Sequence, residues 1–240
     1  MDWWRDMFTL PSWQAVQFAW EQADDVDEDV HHVWHALGLL PSARVLDVPC
    51  GTGRVATRLR ERGCMVVGID ATDVFLRSAH EAGVPVIRGD MRTQVVRPGS
   101  FDAALCWWGS FGYFDENGNR DQAEAAAAAL VPGGRFLIDT VVADSVLTDF
   151  TPEFEWDLAG VHVHESRTYD EEARRIGDNW TFTRDGDEET LTTSVRVYTV
   201  VELMELLSEV GFVAFQTLDE DLRPFQPSAD RLRLVATMPD

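Results

Sequence analysis

Residues 43–54, Ala-Arg-Val-Leu-Asp-Val-Pro-Cys-Gly-Thr-Gly-Arg, constrain this chain more than any other stretch. Apolar Val45, Leu46 and Val48 run into a turn holding Gly51 and Gly53, and helix-forming residues follow. The pattern predicts a strand, a tight glycine turn and a helix N-terminus. Glycine admits backbone conformations closed to other residues and lets a ligand approach the main chain. Asp47 falls at the strand's C-terminal edge, where open α/β sheets bind their ligands. An acid ahead of the glycines suits a ligand with a cationic group and hydroxyls better than a pyrophosphate.

The alternation continues downstream. Strands are predicted at Arg44–Val48, Met65–Asp70, Pro85–Arg88, Phe101–Trp107 and Arg135–Thr140, with helices at Arg54–Arg62, Val74–Ala82 and Arg120–Leu130. Repeated strand–helix units imply a largely parallel, Rossmann-like sheet with helices on both faces. Upstream, Ser12–Gln22 and Val30–Leu40 read as helices, and residues 1–40 are expected to form a helical cap. Downstream, Phe154–Asp157, Val161–Tyr169, Arg174–Arg184 and Glu188–Tyr198 alternate with period two, an antiparallel meander inserted over 154–198. A helix at Val200–Val210 and a hairpin of Phe212–Leu218 with Arg231–Thr237 close the chain, so the last strand is antiparallel. The expectation is one domain, 1–240, with its core at 41–153 and 199–240 and the meander over the substrate site.

Composition sets outer bounds. The 240 residues are 45% hydrophobic, enough for one sizeable core, and the formal charge is −22. So acidic a surface repels phosphate backbones and anionic lipid, which argues against nucleic acid and membrane partners. Cys50, Cys64 and Cys106 lack paired spacing, which argues against a disulfide framework or zinc site, and two of them read as buried thiols of a reducing compartment. The start, Met-Asp-Trp-Trp-Arg-Asp, lacks the basic and apolar regions of a signal peptide, and no apolar run spans a bilayer. A cytoplasmic protein is expected, of undetermined oligomeric state.

Five signals fall at successive strand ends: the glycine turn, Asp70, Gly89-Asp90-Met91, the run Trp107–Phe114, and Val131-Pro132-Gly133-Gly134. Asp70 can accept hydrogen bonds from two ribose hydroxyls. Asp90 can accept from an adenine amino group, with Met91 against the ring. Asp47, Asp70 and Asp90 thus suit ammonium, ribose and adenine without phosphate, the parts of S-adenosylmethionine (SAM). A dinucleotide fingerprint competes, since Gly51-Thr-Gly53-Arg-Val-Ala56 precedes Asp70 by the right interval. Against a nicotinamide oxidoreductase stand Asp47, Asp90 and the antiparallel last strand.

With these residues in place, the chain resembles a class I SAM-dependent methyltransferase, similar to a bacterial small-molecule subgroup. The resemblance rests on Trp3/Trp4 with Phe8, Cys50–Arg54, Gly89–Arg92, Ser110–Phe114, Arg196-Val-Tyr198 before Glu202-Leu203, and Arg231. It implies SAM contacts from Asp47, Gly51, Thr52, Gly53, Arg54, Asp70, Ala71, Asp90, Met91 and Trp107. It implies methyl transfer to a small molecule at N or O, with a cofactor-binding biosynthetic protein that does not methylate as the alternative.

Candidates for the acceptor side come from separate stretches. Trp4, Ser110, Tyr113, Arg196 and Tyr198 are expected to contact substrate, with Arg196 suited to a carboxylate. Tyr113, His162 and His164 are the candidates for catalysis, the histidines sharing one face of a predicted strand. His31 and His35 share a helix face, but no third ligand is evident and no metal site is expected.

Overall fold

The computed structural model describes residues 2–23, 25–148 and 150–240. Met1, Asp24 and Asp149, inside the expected cap and core spans, lie outside the described residues, as does the side chain of Ala23. The helices are α1 (Trp3–Met7), α2 (Pro11–Ala23), α3 (Val26–Leu37), α4 (Arg54–Glu61), α5 (Asp73–Glu81), α6 (Glu116–Ala129), α7 (Ala143–Val146) and α8 (Val200–Val210). The strands are β1 (Arg44–Asp47), β2 (Met65–Asp70), β3 (Val86–Arg88), β4 (Phe101–Cys106), β5 (Leu130–Thr140), β6 (Glu153–Leu158), β7 (Val161–Asp170), β8 (Arg175–Arg184), β9 (Asp187–Arg196), β10 (Ala214–Leu218) and β11 (Leu232–Thr237). They fall into two compact units, one of residues 1–25 with 149–197, the other of 26–148 with 198–240.

The larger unit holds a seven-stranded sheet ordered β10-β11-β5-β4-β1-β2-β3. Neighbours from β5 to β3 run parallel. β11 lies antiparallel between β5 and β10, as the hairpin reading requires. Both faces are covered, so the central strands are apolar on both sides. On β4 and β5, Ala104, Cys106, Phe136 and Ile138 enter one core layer with Phe111, Leu203, Leu207 and Phe212. Ala103, Leu105 and Leu137 enter the other with Val30, Val33, Leu37, Val55 and Leu59. The two-residue period of a strand divides the side chains in this way.

Helix starts follow local capping chemistry. The expected start of α6 at Arg120 is four residues late: the Asp115 carboxylate accepts from Gly118 N at 2.8 Å and opens the helix at Glu116. The alanines of α6 do more than favour helix, because Ala123, Ala126 and Ala127 are buried against the sheet. A reciprocal box starts α8. Thr199 Oγ1 accepts from Glu202 N, and the Glu202 carboxylate accepts from Thr199 N. Gly211, at φ +117°, ends it.

The smaller unit pairs a four-stranded antiparallel sheet, β6-β7-β8-β9, with α1 and α2. One face carries Trp156, Val163, Trp180 and Phe182, which gather around Trp13 and Trp20 of α2; ring centroids lie 5.6–6.1 Å apart. The expected 1–40 cap divides here. Helix α3 joins the larger unit because its apolar stripe of Val30, Val33 and Leu37 completes a layer of that core, whereas α2 offers indoles to the antiparallel sheet. Tyr198, expected as the last meander residue, also belongs to the larger unit. No helix among the described residues is long and apolar enough to cross a membrane.

Candidate cofactor and active site

The glycine turn leaves β1 and enters α4 through two left-handed residues, Gly51 at φ +52° and Gly53 at φ +77°. Their roles differ. A Cβ on Gly51 would meet nothing within 4 Å, so that side of the turn faces open space. A Cβ on Gly53 would stand 2.8 Å from Ala79 Cβ, so this glycine lets α4 and α5 pack. Gly68 serves the turn from the neighbouring strand, since a Cβ there would press on Cys50 Sγ.

Two acids frame the open side. Asp70 is 7% exposed, and its carboxylate accepts from Gly51 N at 2.9 Å and Thr72 N at 2.8 Å. These bonds lock its orientation and still leave lone pairs for hydroxyl donors. Burial pushes its carboxyl above the usual range, against the pull of those amides. Asp47 is 3% exposed. Burial and the neighbouring Asp70 charge push its carboxyl up to about 8, with Arg54 opposing. A buried carboxylate in this position is costly unless it meets a cation. An ammonium group fits that need, and ribose hydroxyls fit Asp70, so the residues present suit SAM.

The remaining cofactor candidates are spread around this cradle. Thr52 is buried and Ala71 partly buried beside Asp70. Arg54 forms an ion pair with Asp29 of α3 and lies 4.4 Å from the Trp108 ring centroid. Asp90 is held by Arg92, whose Nη2 donates at 2.6 Å and main-chain N at 3.0 Å. Arg92 in turn covers Phe114 at 4.2 Å. Met91 packs at the edge of the core. Trp107 differs from its expected role: it is 6% exposed and sunk in the α3-side core, with the Arg233 guanidinium 5.2 Å from its ring. The next residue, Trp108, takes the exposed position.

On the acceptor side, Ser110 is buried and its Oγ donates to the Trp107 carbonyl at 3.3 Å. Burial pushes the Tyr113 phenol up to about 12, against a hydrogen bond with Ser110. Tyr113 therefore carries its proton at neutral pH and can donate a hydrogen bond. Tyr198 is a core residue: 5% exposed, it donates to Glu116 at 2.9 Å, accepts from Asn119 at 3.0 Å and packs on Phe111. Through these contacts it braces α6.

In the smaller unit, Trp4 is buried on α1 with Arg5 over its ring at 4.7 Å. Arg196 is buried at the end of β9, its Nη1 donating to the Val197 carbonyl. His162 and His164 stand on the face opposite buried Val161 and Val163. His162 Nδ1 pairs with Asp157 at 3.1 Å and His164 Nε2 with Glu153 at 2.8 Å. Both rings are thus cross-strand partners of β6 acids. Sequence reading missed a second feature of the sheet, the inner-face cluster of Glu165, Arg167 and Asp178. Arg167 lies 3.7 Å from Glu165 and 3.5 Å from Asp178, and Thr193 Oγ1 donates to Asp178 at 2.9 Å. Burial and the Asp178 charge push Glu165 up to about 7. Strand alternation puts them on one face with Val163 and Phe182, and packing makes that face the inner one.

The methyltransferase-domain family matches residues 45–134, which run from β1 through the strand-end loops to β5. The chain is 28% identical to the putative methyltransferase YqeM of Bacillus subtilis, over 84% of this chain and 85% of that one. It is 33% identical to a thiopurine S-methyltransferase of Pseudomonas syringae pv. tomato, over 43% of this chain and 46% of the relative. Its fold is shared with a SAM-dependent methyltransferase of Clostridium acetobutylicum, at TM-score 0.77 and 17% identity, covering 91% and 94% of the two chains. SAM-bound CalS10, an amino pentose methyltransferase of Micromonospora echinaspora, matches at TM-score 0.69 and 21% identity, over 90% and 93%.

A buried acid before a glycine turn, a second acid gripping that turn and an antiparallel β11 beside β5 separate this fold from the all-parallel dinucleotide sheet and fit a SAM-dependent methyltransferase. The chain is a class I enzyme of this kind, with SAM as its methyl donor. The nicotinamide reading is set aside with it.

Proposed function

We propose that this methyltransferase acts on a small molecule, at nitrogen or oxygen. The observation that carries this reading is the charge of the chain, −22. It opposes nucleic-acid substrates electrostatically. Relatives and fold neighbours named for thiopurine and amino-pentose methylation act on small molecules, which supports the same class here.

The bound cofactor supplies an electrophilic methyl group on a sulfonium. The chain's own residues bind and orient. Asp47 would take the ammonium, Asp70 the ribose hydroxyls, and the open side of Gly51 would admit the ligand to the main chain. Holding donor and acceptor in line supplies much of the barrier reduction, on the order of 7–11 kcal/mol in favourable cases. Tyr113 as a donor orients a polar acceptor without removing its proton. An amine acceptor that arrives neutral needs no stronger base.

The test is release of S-adenosylhomocysteine (SAH) from SAM with a panel of small amines, phenols and sugar alcohols, beside a structured RNA. Turnover of a panel member and none of RNA is the expected result. Methylation of RNA alone would overturn the reading.

A further inference from the structure

The two indoles at the end of β4 behave in opposite ways. Trp107 is 6% exposed and Trp108 is 39% exposed. Trp108 adopts φ +60° and Gly109 follows at φ +75°. A bulky side chain in the left-handed region is rare and persists only where its surroundings over-determine it. Here they do. Trp108 N donates to Asp139 Oδ2 at 3.0 Å, and Gly109 N donates to the Asp139 carbonyl at 2.9 Å. Asp139, 1% exposed, is gripped by Arg231 at 2.6 Å, with Arg233 at 3.6 Å.

The ring is held as well as the backbone. The Arg54 guanidinium lies 4.4 Å from its centroid. Arg54 is the first residue of α4, directly after Gly53, so the indole stands beside the cofactor turn. The same loop sends Phe111 and Phe114 into the core at 2% and 6% exposure. A strained backbone and a buried ionic cluster instead keep one large apolar ring at the surface of the cradle.

We propose that Trp108 is the acceptor platform: a neutral ring of the methyl acceptor lies against its indole, and this contact sets ring selectivity. The electron-rich face of an indole attracts cations, but Arg54 already occupies this ring. The guanidinium, whose charge Asp29 balances, already uses the ring's attraction for a cation, so a neutral ring is preferred over a charged head group on the remaining surface. A flat aromatic ring and the C–H face of a pyranose share the required chemistry. The inference rests on the small-molecule reading above.

The test uses the SAH-loaded protein labelled with 5-fluorotryptophan, followed by fluorine NMR. The Trp108 resonance is the one missing in Trp108→Phe. Phenol, methyl β-D-glucopyranoside and tetramethylammonium are the probes. Saturable movement of that resonance by phenol points to an aromatic acceptor, and by the glucoside to a sugar. Tetramethylammonium is expected to leave it in place. Trp108→Gly, which suits φ +60°, should weaken the effective probe by about ten-fold in calorimetry. SAH affinity and the thermal midpoint should hold.

Three results would overturn the platform: no ring probe moves the resonance, tetramethylammonium alone moves it, or Trp108→Gly lowers SAH affinity or the midpoint. Binding of SAH to the parent with no ring at Trp108 sinks the platform alone. Methylation of RNA alone in the turnover assay sinks the broader reading.

Discussion

The two units bury charge in different places. In the larger unit, parallel strands are covered on both faces, and its buried acids sit where strands end: Asp47, Asp70 and Asp139 are 3%, 7% and 1% exposed. The interiors of its central strands β1 and β2 are apolar. In the smaller unit Glu165, Arg167 and Asp178 sit mid-strand on the face that carries Val163 and Phe182. A parallel sheet tolerates no polar group in its middle, because helices cover both sides. It gathers chemistry at one edge. The antiparallel sheet spreads polar groups along its length. The edge is readable from motifs, while the spread depends on register.

The largest effect should separate the two glycines of the turn. Gly51→Val places a side chain in the open side and should abolish SAH binding by calorimetry while retaining the circular dichroism spectrum. Gly53→Ala should instead lower the thermal midpoint, by overpacking α5 at a cost of roughly 1–3 kcal/mol plus left-handed strain. If both variants bind SAH alike, the open side is not the ligand side.

Asp139→Asn comes next. It leaves Arg233, with a side chain 6% exposed, beside a neutral group. Breaking a buried ion pair costs about 3–5 kcal/mol. Denaturant unfolding should show a loss of that order. Glu165→Gln in the smaller unit should cost far less, since one carboxylate remains to pair with Arg167.

A ten-fold effect is expected for Asp70→Ala. Charge-assisted hydrogen bonds to ribose are worth roughly 1.5–3 kcal/mol, so SAH should bind about ten-fold more weakly or worse. Parent-like affinity would reduce Asp70 to a brace for Gly51.

The pH response should also differ between units. Asp47 ionises near 8 in the ligand-free protein. An ammonium group needs the carboxylate, so SAH affinity should rise as pH approaches about 8, by at most about ten-fold per unit. Asp47→Asn should flatten that rise. Stability moves the other way. A carboxyl whose folded pKa is raised holds more protons when folded, so the ligand-free protein loses stability as pH climbs from the unfolded carboxylate range through about 8. Glu165, pushed to about 7, adds a lower step that Glu165→Gln removes without changing the SAH profile.

The smallest effect should come from His162→Ala and His164→Ala. Their side chains are 46% and 39% exposed, and such surface pairs contribute about 0–1 kcal/mol. Neither variant should change SAH affinity, and a large loss of turnover in either would restore a catalytic role.

Most of the larger unit was legible in the residue order. Alternating strand and helix periods, the glycine turn and acids at strand ends are local signals, and local backbone preference decides them. Asp47, Gly51 and Asp70 came together as expected because adjacent parallel strands bring their ends together automatically. Tertiary structure decided the rest. It sent Trp107 inward and Trp108 outward through a left-handed residue that no side-chain pattern announces. It divided the N-terminal helices between units, because α3 carries aliphatic residues for one core and α2 carries indoles for the other. It also turned His162 and His164 outward, since a strand shows which residues share a face but not which face is buried. That choice belongs to the packing partner, here the indoles of α2 against Phe182 and Trp180.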